Sequence, residues 1–402
     1  MKYLVLLGDG MSDERLPQLE NKTPLQVAST PNMDFMAKRG VLGLAQTVPN
    51  GYPPGSDVAN LSVFGYDPRD CYTGRSPLEA SSMGVELAPD DVAFRLNLVN
   101  LEARATALLM KDYSAGHIST EDGQELVNAM QESLGSDEFR FYPGISYRHL
   151  LVWKGGNDRI EAVPPHDITG QSILDYLPKG DGAEKLIRLM NDTQLLLHNH
   201  PQYKRRKEAG KLPANSAWFW GQGKAPQMAT FSEKFGLTGA VISAVDLVRG
   251  IGVYAGLEVV KVPGATGYID TNYIGKAQAA LEALERVDYV YLHVEAPDEA
   301  AHSGNLDHKL QAIEDFDAKI VGPILEGVKK FGDYRILCTP DHPTPVARMT
   351  HTSDPVPFIV YGGEQAEKSG VAGYDEESAE KTGVLVSEGY RLMEMMLGRY
   401  SV

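Results

Sequence analysis

In the stretch HVEAPDEAAHSGN, His293 to Asn305, an aspartate and a histidine stand four residues apart, just after an apolar, strand-like run. On a helix, positions i and i+4 share one face, so Asp298 and His302 can point at the same object. Alone, the pair also suits a helix N-terminal turn with a capping acid and an incidental histidine. Three other stretches change the balance. LLGDGMSD sets Asp9 at a strand end, and TPDHPTPVARMTHTSDPVP holds Asp341, His342 and His351. GYPPGSDVANLSVFGYDP sets Ser56 after Pro-Pro-Gly and before a helix, where a nucleophile would meet the helix dipole and free N–H groups. Hard divalent cations take carboxylate oxygens, and imidazole suits manganese or zinc. If these groups converge they make two cation sites, and a hydroxyl held against such a cation becomes a nucleophile near neutral pH. Each piece has a plain alternative: Asp9 bracing a turn, Ser56 an ordinary cap, His351 a loop histidine. The order Asp, Ser, Asp-x-x-x-His, Asp-His, His along one chain is improbable by chance.

The elements that must deliver these residues can be read in outline. KYLVLLGDG, DYVYLHVEAP and YRILCTPDHP are near-continuous apolar strands, separated by helical stretches such as YIGKAQAALEAL and HKLQAIEDFDAKIVGPILEGVKKFG. That alternation predicts a mainly parallel sheet flanked by helices on both faces. Ligands of such sheets sit outside the carboxyl ends of the strands, which is where Asp9, Asp298 and Asp341 with His342 fall. The middle of the chain differs. From DDVAFRLNLVNLEARATALLMKDYSAGHI to RFYPGISYRHLLVWKGG, longer strands follow one another, predicting an antiparallel sheet with helices on one side. The expectation is an α/β core at residues 1–90 and 224–402, interrupted by a smaller α+β domain at 91–223.

Composition limits the partners. The chain has 402 residues, and 38 bases against 54 acids leave a net charge of −16, a poor match to nucleic acid or anionic membrane. No window has the length of a transmembrane helix, and MKYLVLLGDG runs into a Gly-Asp turn without a signal-peptide cleavage site. Cys71 and Cys338 are too few for a disulfide framework, so the expected location is the cytoplasm. Two other patterns are set aside. Gly250, Gly252 and Gly256 in RGIGVYAG have the wrong spacing for a dinucleotide fingerprint, and the basic run Lys204 to Lys207 suits a solvated helix face.

The stretches GDGMSD, PPGSDVANLSVFGYDP, GRSPLEASSMGV, DYSAGHIS, VEAPDEAAHSGN, TPDHPTP and THTSDPVPF together carry a resemblance. The chain resembles the alkaline phosphatase superfamily over essentially its whole length. Within it, the chain is similar to the archaeal-type branch of the 2,3-bisphosphoglycerate-independent phosphoglycerate mutases. The resemblance implies that one cation is held by Asp9, Ser56, Asp341 and His342, and a second by Asp298, His302 and His351. It implies Mn²⁺ for these sites, with Mg²⁺, Zn²⁺ or Co²⁺ as alternatives, and no need for 2,3-bisphosphoglycerate. Ser56 would take the phosphoryl group from 3-phosphoglycerate and return it to the other hydroxyl of the retained glycerate, giving 2-phosphoglycerate. The inserted domain would then be the lid that excludes water. For the doubly anionic substrate, His117 is the family-like contact; Arg148, Lys224, Arg249 and, more weakly, Arg95 are candidate clamps of carboxylate or phosphate. A phosphatase or phosphopentomutase with the same metals, and a non-catalytic phospho-ligand binder, are the competing readings. Oligomeric state has no signal in the sequence.

Overall fold

The computed structural model describes residues 1–362 and 370–401. The chain forms two compact units: a split unit of Met1–Tyr72 with Gln227–Val402, and an inserted unit of Thr73–Pro226. Thirteen strands run in chain order among the described residues: β1 (Lys2–Gly8), β2 (Val41–Ala45), β3 (Val92–Arg104), β4 (Ala107–Asp112), β5 (Phe139–Ile145), β6 (Arg148–Trp153), β7 (Ser216–Lys224), β8 (Gly239–Ile242), β9 (Glu258–Val259), β10 (Tyr289–Val294), β11 (Tyr334–Thr339), β12 (Val356–Tyr361) and β13 (Leu385–Val386).

The split unit is built on an eight-stranded sheet in the order β13-β2-β12-β11-β1-β10-β8-β9. Its neighbours pair in parallel except where β12 runs against β11 and β2. Successive residues of β1 serve opposite faces. Leu4 and Leu6 join a core with Met33 and Met36, Ala277 and Ala280, and Ile313 and Phe316 from three helices. On the other face Tyr291 stacks on Phe64, the residue that ends the Ser56–Val63 helix, with ring centroids 3.7 Å apart. Both faces are covered, which is why these strands are almost uninterrupted in apolar sequence. The long helix expected after His308 is broken. It runs Leu306–Phe316, loosens into one wide turn at Asp317–Val321, and resumes as Gly322–Gly327. Pro323 cannot donate a backbone hydrogen bond, and the wide turn absorbs that loss.

The inserted unit is a five-stranded antiparallel sheet, β4-β3-β6-β5 with β7 on the other side of β3. The Thr120–Leu134 and Ala183–Asn199 helices bury Leu126, Val127, Leu186 and Leu197 in the core with Phe94, Trp153 and Trp218. This unit begins earlier than the expected Asp91. The Arg75–Ser82 helix packs on β3 and β7, so its sequence GRSPLEASS belongs with the insertion. The chain enters at Thr73–Gly74 and runs back out through Gln222–Gly223, and these two passages touch backbone to backbone. A Cβ on Gly223 would lie 2.2 Å from the Thr73 carbonyl oxygen, and one on Gly74 would lie 2.2 Å from that of Gln222. Gly74 also has φ of 139°, open to glycine alone. Gly223→Ala must push these segments apart and is expected to destabilise the protein by about 1–3 kcal/mol, read as a lowered urea midpoint. An unchanged midpoint would contradict the close packing of the two passages.

Candidate functional site

Strand register brings the chemistry together. Leu7 of β1 lies level with His293 of β10 and with Thr339 of β11, so the residues just beyond these strands emerge side by side. Asp9 follows β1, and its N–H donates to the Val294 carbonyl at 2.9 Å. Gly10 then turns with φ of 60°, where a Cβ would stand 2.6 Å from Asp298 Oδ1 and from Thr344 Oγ1. Only glycine fits this turn, which presses Asp9 against the acid of the next strand.

Ser56 is the first residue of its helix, with Gly55 as the extended cap. Its Oγ lies 3.1 Å from His342 Nε2. That nitrogen is also 3.3 Å from Asp341 Oδ2 and 3.6 Å from Asp9 Oδ1. The carboxylates are held by donors: Gly10 N–H to Asp341 Oδ1 at 3.2 Å, and the Asn60 amide to Asp341 Oδ2 at 2.8 Å. Asn60 is in turn fixed through its Oδ1, which accepts from the Tyr291 hydroxyl at 2.6 Å.

Asp298 and His302 do share one helical face, on the Ala296–His302 helix. His302 Nε2 is 3.2 Å from Asp298 Oδ2 and 2.8 Å from His351 Nε2, and His351 Nε2 is 3.5 Å from Asp298 Oδ1. The other faces of these groups are engaged. His302 Nδ1–H donates to the Met349 carbonyl at 3.0 Å, and the Thr344 hydroxyl donates to Asp298 Oδ1 at 2.5 Å. Metal-binding histidines characteristically use their second nitrogen in this way. Among the described residues, three combinations bring ligand atoms within 4.8 Å of one another: Asp9–Asp341–His342, Asp298–His342–His351 and Asp9–His293–Glu295.

Electrostatics require something positive here. Asp9, Asp341 and His342 are fully buried, and Asp298 nearly so. Burial, then the charges of Asp341, Glu295 and Asp298, push the Asp9 carboxyl well above the usual carboxylate range. Asp9 Oδ1 and Glu295 Oε2 are buried without a hydrogen-bond partner. Burial alone would raise Asp298 too, but hydrogen bonds from His302 and His351 outweigh it and hold this carboxyl well below the usual range. A buried unpaired carboxylate costs several kcal/mol, whereas bound divalent cations would satisfy all of these oxygens at once. The donor set, carboxylates with imidazoles and one hydroxyl, fits hard-to-borderline divalent ions.

The other candidates divide. In the inserted unit, Arg95 is buried on β3 with Nη1 3.2 Å from Glu79 Oε1, its guanidinium 5.0 Å from the Trp220 ring centroid, and its Nε unpartnered. Burial, opposed by Glu79, lowers this guanidinium to about 10. Arg75 reaches the same Glu79 oxygen at 3.0 Å, and the charges of Arg95, Arg75 and Arg148 together outweigh burial to keep Glu79 ionised. Arg148 lies over Tyr147, against which the His117 ring packs edge-on. Tyr113 links His117 to His166, and His166 packs on Trp220. Arg95, Arg148 and His117 are therefore parts of one basic, aromatic patch. Lys224 instead lies near Asp90, at 3.8 Å. Arg249 sits in the split unit, on the Asp246–Tyr254 helix, and is ion-paired with Asp246 three residues earlier. Sequence spacing could not separate these two from the patch, because it gives no hint of which unit or which neighbour absorbs a basic charge. Reading the sequence also passed over Arg75, Glu79, His166, Asn60, His293 and Glu295. The last two stand inside HVEAPD itself, where alternation along β10 and the turn after it direct them to the same strand end.

Ions held by these groups would neutralise the oxygens of a phosphoryl group and activate the serine beside them. The profile of the 2,3-bisphosphoglycerate-independent phosphoglycerate mutase family matches residues 37–203. A Methanosarcina acetivorans protein named 2,3-bisphosphoglycerate-independent phosphoglycerate mutase is 53% identical over 99% of this chain and 100% of its own. A Geobacter sulfurreducens protein carrying that name with the qualifier "probable" is 71% identical over 99% and 100%. Among solved structures, the cofactor-independent phosphoglycerate mutase of Thermoplasma acidophilum covers 100% of both chains with a TM-score of 0.66 at 28% identity. A Pyrococcus horikoshii protein reaches 0.84 at 30% identity, over 100% of this chain and 98% of its own. The chain belongs to the 2,3-bisphosphoglycerate-independent phosphoglycerate mutase family.

Without ions, the Asp298 hydrogen bond raises the His302 imidazole to about 9, against burial. That raised value stabilises the ion-free protein fully below the ordinary 6.5 and loses its effect as pH climbs through about 9. If His302 holds a cation, binding needs the neutral ring and would expel this proton at neutral pH. Titrating Mn²⁺ into EDTA-stripped protein, in buffers of different ionisation enthalpy, should show proton release at pH about 7.5 that shrinks toward pH about 10. Loading without proton release at neutral pH would contradict His302 as a ligand.

Proposed function

We propose that this chain is an isomerase that interconverts 3-phosphoglycerate and 2-phosphoglycerate through a phosphoserine on Ser56. One observation carries the reading. The Ser56 hydroxyl opens a helix and lies 3.1 Å from His342 Nε2, the nitrogen that also faces Asp9 and Asp341. Asp9, Ser56, Asp341 and His342 would hold one divalent cation; Asp298, His302 and His351 would hold the other, with Mn²⁺ the favoured ion. Bound there, the ions supply charge neutralisation at phosphorus and a lowered pKa for the serine.

In the forward direction Ser56 gives up its hydroxyl proton and Oγ attacks phosphorus of 3-phosphoglycerate, one proton being lost here for the one the leaving oxygen gains. The bond to the 3-oxygen breaks, and that oxygen leaves with the electron pair and takes up a proton. The 2-hydroxyl of the same glycerate then loses its proton, attacks the phosphoserine and releases Ser56 Oγ. The N-terminal N–H groups of the Ser56–Val63 helix favour the negative charge on the transferred group. Between the two steps glycerate must be kept and water kept out. Arg75, Arg95 and Arg148 of the inserted unit present guanidinium forks of the kind that suit a carboxylate, backed by His117 and His166. Glu79 keeps Arg75 and Arg95 in place.

A net charge of −16 and two buried free cysteines support a cytoplasmic enzyme of small molecules. No helix among the described residues is long and apolar enough to cross a membrane.

The test is a coupled assay without 2,3-bisphosphoglycerate, together with acid quenching. 2-Phosphoglycerate should form, and phosphate should be trapped on Ser56. Ser56→Ala, if folded, should lose activity by a factor on the order of 10⁴ or more. Free phosphate as the main product would make the protein a phosphatase, and phosphohistidine would overturn the serine route. Arg148 is exposed, so Arg148→Ala tests the clamp with little risk to folding. It should raise KM roughly 10- to 100-fold, the worth of one charge-assisted hydrogen bond. An unchanged KM would remove Arg148 from the substrate site.

A further inference from the structure

We propose that Arg206 is a positioning residue for His117, clamping the left-handed segment Ala115–His117 that carries this imidazole. The proposal deepens the reading above and rests on it only in taking His117 as a substrate contact.

Three consecutive residues of DYSAGHIS lie in the left-handed region: Ala115 with φ of 50°, Gly116 with 68° and His117 with 48°. Two of them carry a Cβ, which crowds the following carbonyl oxygen in this conformation, so a free chain visits it rarely. Such a backbone persists only where its surroundings over-determine it. Asp112 Oδ1 accepts from the Ser114 N–H at 2.8 Å, the Ser114 hydroxyl at 2.7 Å and the Gly116 N–H at 3.0 Å. The Ser114 oxygen in turn accepts from the His117 N–H at 3.0 Å. These short-range bonds shape the turn without tying it to another element.

Arg206 supplies that tie. The basic run Lys204 to Lys207 is not a solvated face throughout: the Lys204 side chain is 82% exposed and that of Arg206 only 5%. Each guanidinium nitrogen has a different acceptor. Nη2–H donates to the Ala115 carbonyl at 3.0 Å, Nε–H to the Leu212 carbonyl at 3.0 Å, and Nη1–H to Asp122 Oδ2 at 2.8 Å. One planar group thus joins the left-handed segment to the Thr120–Leu134 helix and to the stretch that leads into β7. A lysine ammonium, a point charge on a flexible stem, does not reproduce this fork. The His117 side chain is itself exposed, and its ring packs edge-on to Tyr113 and Tyr147 with centroids 6.4 and 6.0 Å away. Backbone conformation rather than burial therefore fixes this imidazole. Without the clamp, Ala115 and His117 can relax to ordinary φ and carry the ring away from Tyr147.

Arg206→Lys keeps the charge and loses the fork. In ¹³C-histidine-labelled protein with Mg²⁺, the His117 Cε1–H resonance, identified by its loss in His117→Gln, should shift as the ring leaves Tyr113 and Tyr147. KM for 3-phosphoglycerate should rise about 5- to 30-fold with kcat little changed, the population cost of one left-handed residue that carries a side chain. Adding Ala115→Gly should restore both the resonance and KM, because glycine takes this backbone without penalty. A merely structural arginine would lower the urea midpoint and the active fraction and leave KM alone. An unmoved resonance with unchanged KM in folded Arg206→Lys overturns the proposal, and so does a defect that Ala115→Gly leaves in place. If Arg206→Lys does not fold, Asp122→Asn, which removes the charge holding Arg206, decides: a shifted His117 resonance supports the clamp and an unmoved one overturns it. Absence of mutase activity in the wild type would overturn the function proposed above, whereas the resonance tests the clamp without substrate.

Discussion

The rest of the split unit depends on the repulsion among buried carboxylates at the ends of three neighbouring strands. Asp9, Asp341, Asp298 and Glu295 are drawn together by the parallel register of β1, β10 and β11, the three aspartates at or near zero exposure and Glu295 mostly buried. Hydrophobic burial of the strands forces this, because one face of the sheet packs on helices and the other on the Phe64–Tyr291 stack. The fold thus holds negative charge where water cannot screen it. The result is a cluster of acceptor groups arranged in advance, a setting that suits divalent cations because binding would involve little reorganisation.

Around the charges, neutral hydrogen-bonding groups do the aiming. Tyr291 holds Asn60, Asn60 holds Asp341, Thr344 holds Asp298, and the Met349 carbonyl holds His302. Met349 takes a left-handed backbone, with φ of 54°, to present that carbonyl, an uncommon conformation for a side chain of this kind. Asn60 is also bonded to the Ser56 carbonyl one turn back at 2.9 Å, tying the serine to the carboxylate that would share its ion. The inserted unit solves the opposite problem. It gathers Arg75, Arg95 and Arg148 around a single acid, Glu79, leaving a net positive patch lined with aromatic rings.

How much of this was legible in the sequence follows from the length scale of each feature. Asp298 and His302 could be paired because helical geometry fixes i and i+4, and Asp9, Asp341 and His342 could be placed because apolar strands end in turns. The parallel sheet followed from strands apolar on both faces. The Asp341–Asn60–Tyr291 relay could not be read, because its members are 281 and 231 residues apart and chemically ordinary. Arg249, Lys224 and Arg148 look alike in sequence, which does not show that their neighbours differ: Asp246, Asp90 and Tyr147. The start of the inserted unit was drawn too late because a short helix has no sequence mark of which sheet it covers. Pro323 interrupts a helix whose apolar spacing continues across it, so periodicity alone missed the break.

In the proposed route one serine oxygen both receives and returns the phosphoryl group. Each in-line displacement inverts the configuration at phosphorus, so two in succession restore it. Turning over 3-phosphoglycerate made chiral at phosphorus with three oxygen isotopes reads this outcome in the 2-phosphoglycerate formed. Net retention is expected for transfer through Ser56; net inversion would mean a single direct displacement and would contradict a phosphoserine intermediate.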